Sequence, residues 1–328
     1  MSWKPILYEY VNAANVRESE LAASGPGLPP GERARLKRMA AGFAERGARP
    51  LGGETRLAIR RVREDEREVV ADIDLRRTTR VRTRGVEHAE ERVDRERVTL
   101  LRTPDGEWTV TRAEPIVRER HGGGGPSVTL GGEASPGMRT APFLNERVLG
   151  RPAPEPWERS YRYDREAARA YADRHWNEPN PQFIHFDVDC TNYVSQCLYA
   201  GGAPMNYTGG RESGWWYRGR SGGRELWSYS WSVAHALHWY LMGERSGGLA
   251  AEQAASAREL TIGDVICYDF DGDGRFEHSV IVTGADGAGQ PLVNAHTTNS
   301  RGRYWDYRDS YAWTDRTVYR FFRIRDGF

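Results

Sequence analysis

No run of roughly 18 apolar residues occurs in this chain of 328, so no helix able to span a bilayer is expected. A surplus of charge is missing too: 47 lysines and arginines stand against 46 aspartates and glutamates, a formal net charge of +1. That balance argues against a general attraction to nucleic acid or acidic lipid, and no nucleic-acid partner is expected. Cysteine is scarce, with three residues: Cys190, Cys197 and Cys267. On one helix Cys190 and Cys197 would lie about 10 Å apart along the axis, beyond the roughly 7 Å between Cα atoms that a disulfide tolerates. An odd, sparse count fits a reducing compartment or a thiol kept for chemistry. There is no CxxC or Cys/His spacing of the structural-zinc kind, and no cofactor is expected. The first residues, Met1-Ser2-Trp3-Lys4-Pro5, lead into no apolar h-region and no small-residue cleavage site, so a cytoplasmic location is the expectation.

What the chain does have is enough apolar material for real cores, in a length that suggests about two domains. Residues 1–120 read as a small α+β domain. Residues 6–23 carry a helical pattern, Pro26, Pro29 and Pro30 break it, and 32–46 resume it. After Gly52-Gly53 the period falls to two, as in Val69, Ala71, Ile73 and Leu75. Pro104-Asp105-Gly106 reads as a hairpin turn between 98–101 and 108–111. Helices followed by antiparallel strands define an α+β class, and this element order resembles the curved sheets of cystatins and nuclear transport factors. The arginines of 76–84 are interleaved with acids and read as a solvated face. Residues 121–156, with Gly122 to Gly125 followed by Pro126, form a linker. A second domain covers 157–328.

The second domain is organised around Asp189-Cys190-Thr191-Asn192-Tyr193-Val194-Ser195-Gln196-Cys197-Leu198. Cys190, Val194, Cys197 and Leu198 share a helical face, and Asp189 is a good N-cap. A thiol at a helix N-terminus feels the positive end of the dipole, which favours the nucleophilic thiolate. His278 opens the β-branched run Ser279-Val280-Ile281-Val282-Thr283. Asn294 and His296, two apart on the next strand, point to one face. A helix-borne cysteine, a strand-borne histidine and a polar orienting residue follow the order of thiol–imidazole hydrolases. Cys190 is the expected nucleophile and His278 the base, with His296 or Asn294 fixing its tautomer.

These blocks resemble the bacterial putative amidase domain family, related to NlpC-type and CHAP cell-wall cysteine peptidases. The resemblance covers about 160–325 and includes Ser230-Trp231-Ser232, Gly263-Asp264-Val265-Ile266, Asp271-Gly272-Asp273-Gly274 and Asn294-Ala295-His296-Thr297. It implies a papain-like fold, a nucleophile at Cys190, a base at His278 and hydrolysis of an amide bond in peptidoglycan or another peptide. A wall substrate would place the protein in the cell wall or outside the cell if it is exported or released. The competing readings are a catalytically inactive papain-like binding protein and a thiol acyltransferase on the same scaffold.

Asp269, Asp271, Asp273, Gly274 and Glu277 match positions one, three, five, six and nine of a calcium loop, yet position twelve is Val280. A hairpin turn that delivers His278 is therefore expected, with calcium at Asp269, Asp271 and Asp273 as the alternative. Asp189, Trp215 and Trp216 are the candidate substrate contacts, the tryptophans as a sugar-stacking wall. Cys197 and Cys267 read as buried small hydrophobes.

Overall fold

The structure is a computed structural model and describes residues 2–23, 28–119, 162–221, 224–244 and 247–328. The expected linker at 121–156, and the boundary at 157, lie outside the described residues. In chain order the first elements are α1 (Lys4–Ser19), α2 (Pro30–Glu45), β1 (Ala48–Glu64), β2 (Glu68–Thr83), β3 (Val86–Arg102) and β4 (Trp108–Pro115). Next come α3 (Arg165–His175), α4 (Cys190–Ala200), β5 (Tyr217–Ser221), β6 (Arg224–Trp227), α5 (Tyr229–Ser232), α6 (Ala234–Met242) and β7 (Ala251–Ala254). The last are β8 (Val265–Asp269), β9 (His278–Ala285), β10 (Pro291–Ala295), β11 (Ser300–Tyr304) and β12 (Val318–Ile324). This is an α+β chain of mostly antiparallel strands. None of the described helices is long and apolar enough to cross a membrane.

Two compact units divide the chain. The first holds Met1–Arg118, Ala285–Gln290 and Thr298–Trp313, and the second holds Glu119–Gly284, Pro291–Thr297 and Thr314–Phe328. In the first unit β1, β2 and β3 form an antiparallel meander, and β3 pairs further with β4 and β11. Arg84 and Gly85 both have positive φ, the backbone of a tight turn whose twist matches the strands it joins. The period-two residues Val69, Ala71, Ile73 and Leu75 bury one face of β2 against Leu7 and Val11 of α1. Pro5 and Pro30 stand in the first turns of α1 and α2, where a missing N–H costs nothing.

The second unit is built on the strand order β10-β9-β8-β12-β7. Val265, Cys267, Ile281 and Phe322 share one core with Tyr193, Val194, Cys197 and Leu198 of α4, so one sheet face is covered by that helix. Trp215, Trp231 and Leu237 complete the cluster. Residues 229–242 form two helices, α5 and α6, because Val233 takes an extended backbone (φ −120°, ψ 122°) between them. Gly201 ends α4 at a close approach: a Cβ there would stand 2.4 Å from a ring carbon of Tyr163.

Candidate functional site

Helix α4 begins at Cys190 with Asp189 at its N-cap, as the spacing requires. The amphipathic reading misses how little of it meets solvent. Thr191, Asn192, Ser195 and Gln196 are buried along with the apolar positions, and each polar side chain has a partner. Asn192 donates to Asp189 Oδ1 and the Ile184 carbonyl, both at 2.8 Å, and accepts from Trp231 Nε1. Ser195 accepts from Trp215 Nε1 at 3.0 Å, and Gln196 accepts from the Tyr171 hydroxyl at 2.8 Å. Buried polar groups of this kind must be paired, which explains why a helix with both faces covered still carries four of them.

The Cys190 thiol lies against the backbone at the start of β9. Its Sγ is 3.8 Å from the Glu277 carbonyl and 3.7 Å from Thr191 Oγ1. Burial pushes the thiol above its ordinary value, against donation from the Ser279 N–H and from the Thr191 and Thr297 hydroxyls. The expected dipole-stabilised thiolate is therefore outweighed by desolvation. Side chains alternate along β9, and Ser279 Oγ is the group turned toward α4, 3.2 Å from Thr191 Oγ1. His278 accordingly takes the other face, with its ring beside Tyr268 (5.6 Å between centroids) and Phe270 (6.0 Å).

His296 and Asn294, the residues expected to orient His278, both bond to other groups. His296 Nδ1 lies 2.8 Å from Asp189 Oδ2, and its Nε2 lies 2.7 Å from the His175 carbonyl. Its ring stacks on Tyr193 at 4.0 Å. Asn294 accepts from Thr283 Oγ1 at 2.9 Å and donates to Asp173 at 3.0 Å. His296 stands one residue beyond the end of β10 and stacks on Tyr193 of α4, whereas Asn294, within β10, bonds to Asp173 of α3.

Asp189, a candidate substrate contact, has its carboxylate engaged inside the protein. It is buried, its Oδ1 accepts from Phe186 N–H and Asn192, and its Oδ2 faces His296 and, at 3.3 Å, His185 Nδ1. Burial works to raise its pKa, but the contacts and charge of His185 and His296 prevail and hold it at about 2. Trp215 and Trp216 are buried at 0% and 2% exposure and pack in the interior, so they form no sugar-stacking wall.

The acidic loop closes on itself as a turn. Asp269 accepts backbone N–H groups from Asp271, Gly272, Asp273 and Gly274. Oxygens of Asp269, Asp273 and Glu277 come within 4.8 Å of one another, and burial with the charge of Asp269, Asp271 and Asp273 pushes Glu277 up to about 7. Asp271 does not join that group.

Sequence reasoning missed His185, Ser279 and Thr297. His185 had a readable signal, since it stands four residues before Asp189. The His175 carbonyl has none, because a backbone oxygen carries no mark in sequence.

Residues 162–322 match the family model described as Putative amidase domain. Over 172 residues the chain is 51% identical to the uncharacterized protein YhbB of Bacillus subtilis (strain 168), covering 52% of this chain and 53% of that protein. Over 147 residues it is 29% identical to the uncharacterized protein YjcM of the same strain, covering 42% of this chain and 31% of that protein. The chain thus spans about half or less of the length of these curated relatives. No solved structure matches it. It is the putative amidase domain family, over residues 162–322, that this chain is similar to.

Proposed function

We propose that the second unit hydrolyses amide bonds by a thiol mechanism in which Cys190 attacks the carbonyl carbon. The supporting observation is the seat of its sulfur: first residue of α4, beside the Ser279 N–H, with the helix's own first-turn N–H groups able to donate to an oxyanion. The base we propose is His278, which follows one backbone neighbour of the thiol and precedes the other. It is the first residue of β9, so its ring would have to come round the strand end when substrate binds. A peptidoglycan stem peptide is the substrate we propose, on the strength of the likeness to cell-wall peptidases.

A second reading has specific support: a papain-like unit that binds without catalysing. The 2% exposure of Cys190, its raised pKa and the face taken by His278 favour it. Incubation with intact peptidoglycan and with short peptides, followed by mass analysis, tests the two. Hydrolysis should appear with the natural sequence and fall at least a hundredfold in Cys190→Ala and in His278→Ala. Activity that survives Cys190→Ala would end the thiol mechanism. A transfer reaction would reveal itself by an added amine, and not water, capturing the acyl group.

A further inference from the structure

Three side chains at the head of α4 converge outside the thiol chemistry. His185 Nδ1, Asp189 Oδ2 and His296 Nδ1 all lie within 4.8 Å of one another. The His175 carbonyl can only accept, so the hydrogen bond at His296 Nε2 places the proton there. In the neutral ring Nδ1 then bears a lone pair, aimed at a carboxylate oxygen that also only accepts. That 2.8 Å contact calls for either a proton on Nδ1 or a cation shared by the two atoms. We propose that His185 Nδ1, Asp189 Oδ2 and His296 Nδ1 form a binding site for a divalent ion of the zinc class.

The spacing suits this. Donor atoms held about 2.0–2.2 Å from a common ion, at angles of about 90° to 110°, stand about 2.8–3.6 Å apart. Asp189 Oδ2 is 2.8 Å from His296 Nδ1 and 3.3 Å from His185 Nδ1. A second proton on His296 would answer that ring alone, whereas one ion answers all three donors. Two imidazoles and one carboxylate are the donor set of a borderline metal. The surrounding contacts are those that metal ligands use to fix their orientation. His296 gives its other N–H to a backbone carbonyl, its ring is stacked on Tyr193, and Asp189 Oδ1 is held by Phe186 N–H and Asn192. The His185 side chain is 35% exposed, which gives an ion and a coordinated water a route from solvent. The site uses no part of Cys190 or His278, so it stands or falls apart from the amidase reading.

The test is titration of the chelator-treated full chain with cobalt(II), followed in the visible spectrum, and then displacement by zinc. One equivalent should give the ligand-field bands of a nitrogen-containing site, and zinc should abolish them. His185→Ala is the informative variant, because a partly exposed side chain can go without unfolding the unit, which circular dichroism would check. It should weaken cobalt binding at least tenfold, while Asp273→Asn, in the acidic loop, should leave the bands intact. No bands, bands unchanged in His185→Ala, or bands lost only in Asp273→Asn would each overturn the site. So would nitrogen-15 spectra showing protons on both His296 nitrogens in the presence of one equivalent of zinc.

Discussion

In the first unit Glu18 pairs with Arg35 at 2.7 Å and with Arg92, and it stands 3.7 Å from Arg77; in the second, Asp189 faces the imidazoles of His296 and His185. Both carboxylates are buried and both have depressed pKa values. Burial alone would raise Glu18, but the charges of Arg92, Arg77 and Arg35 hold it well below the carboxylate range. The partners make the difference. A guanidinium keeps its charge at any pH the protein meets, so the first unit's cluster is a fixed ionic core. An imidazole can carry a proton, lose it or take a metal instead, so the same carboxylate in the second unit sits in a place that chemistry can change. Both carboxylates bind fewer protons folded than unfolded. The stability they give is therefore present above about pH 4 and lost as pH falls, for Asp189 down through about pH 2.

The largest effect should come from breaking the arginine cluster. Glu18→Gln leaves Arg35, Arg77 and Arg92 crowded without their shared anion, and chemical denaturation should show a loss of about 3–5 kcal/mol. A loss below about 1 kcal/mol would mean Asp94, Glu96 and Asp309 suffice to hold the three guanidiniums. Next comes His296→Ala, which removes the partner 2.8 Å from Asp189 and should cost about 3 kcal/mol. Adding Asp189→Asn should recover part of that loss, because no uncompensated buried charge would remain; strict additivity in this cycle would deny the coupling. The smallest effect belongs to Glu277, whose pKa is raised to about 7. Here the sign reverses: the folded state holds the extra proton between about pH 4.5 and 7, so stability falls as pH rises through that window. Glu277→Gln should gain about 1–2 kcal/mol at pH 8, discounted for its partial exposure, and nothing at pH 4. Equal gains at both pH values would trace the effect to packing.

Local patterns were readable where one force dominates. The start of α4 at Cys190, the alternation of Val69 to Leu75 and the turn at Gly106 came out as their spacing indicates, because strand pleat and turn geometry act over a few residues, although the Asp189 side chain makes no capping bond. The sheet face taken by His278 was not readable. Strand content does not say which parity turns toward a helix far away in sequence, and the register Cys267 to Ser279 decides it. The tryptophans misled for a related reason. Trp215 beside glycine looks exposed in sequence, but its indole N–H has a partner in Ser195, a pairing visible only once α4 is in place. His185 carried one readable mark, its place four residues before Asp189, but its convergence with His296 appears only once the chain has folded.

The short segments Ala285–Gln290 and Thr298–Trp313 flank β10 in sequence yet fold with the first unit. They lie inside the stretch matched by the family model, 162–322. No single cut therefore separates catalytic candidate from accessory unit. A fragment beginning near residue 162 would carry β11 without the β3 residues Glu91 and Arg92 that it pairs with. It would also carry Arg303, buried and ion-paired to Asp309, without the Arg92 that shares that aspartate. A cut near residue 162 would thus leave two short segments of the first unit, Ala285–Gln290 and Thr298–Trp313, attached to the second without the rest of the unit they fold with.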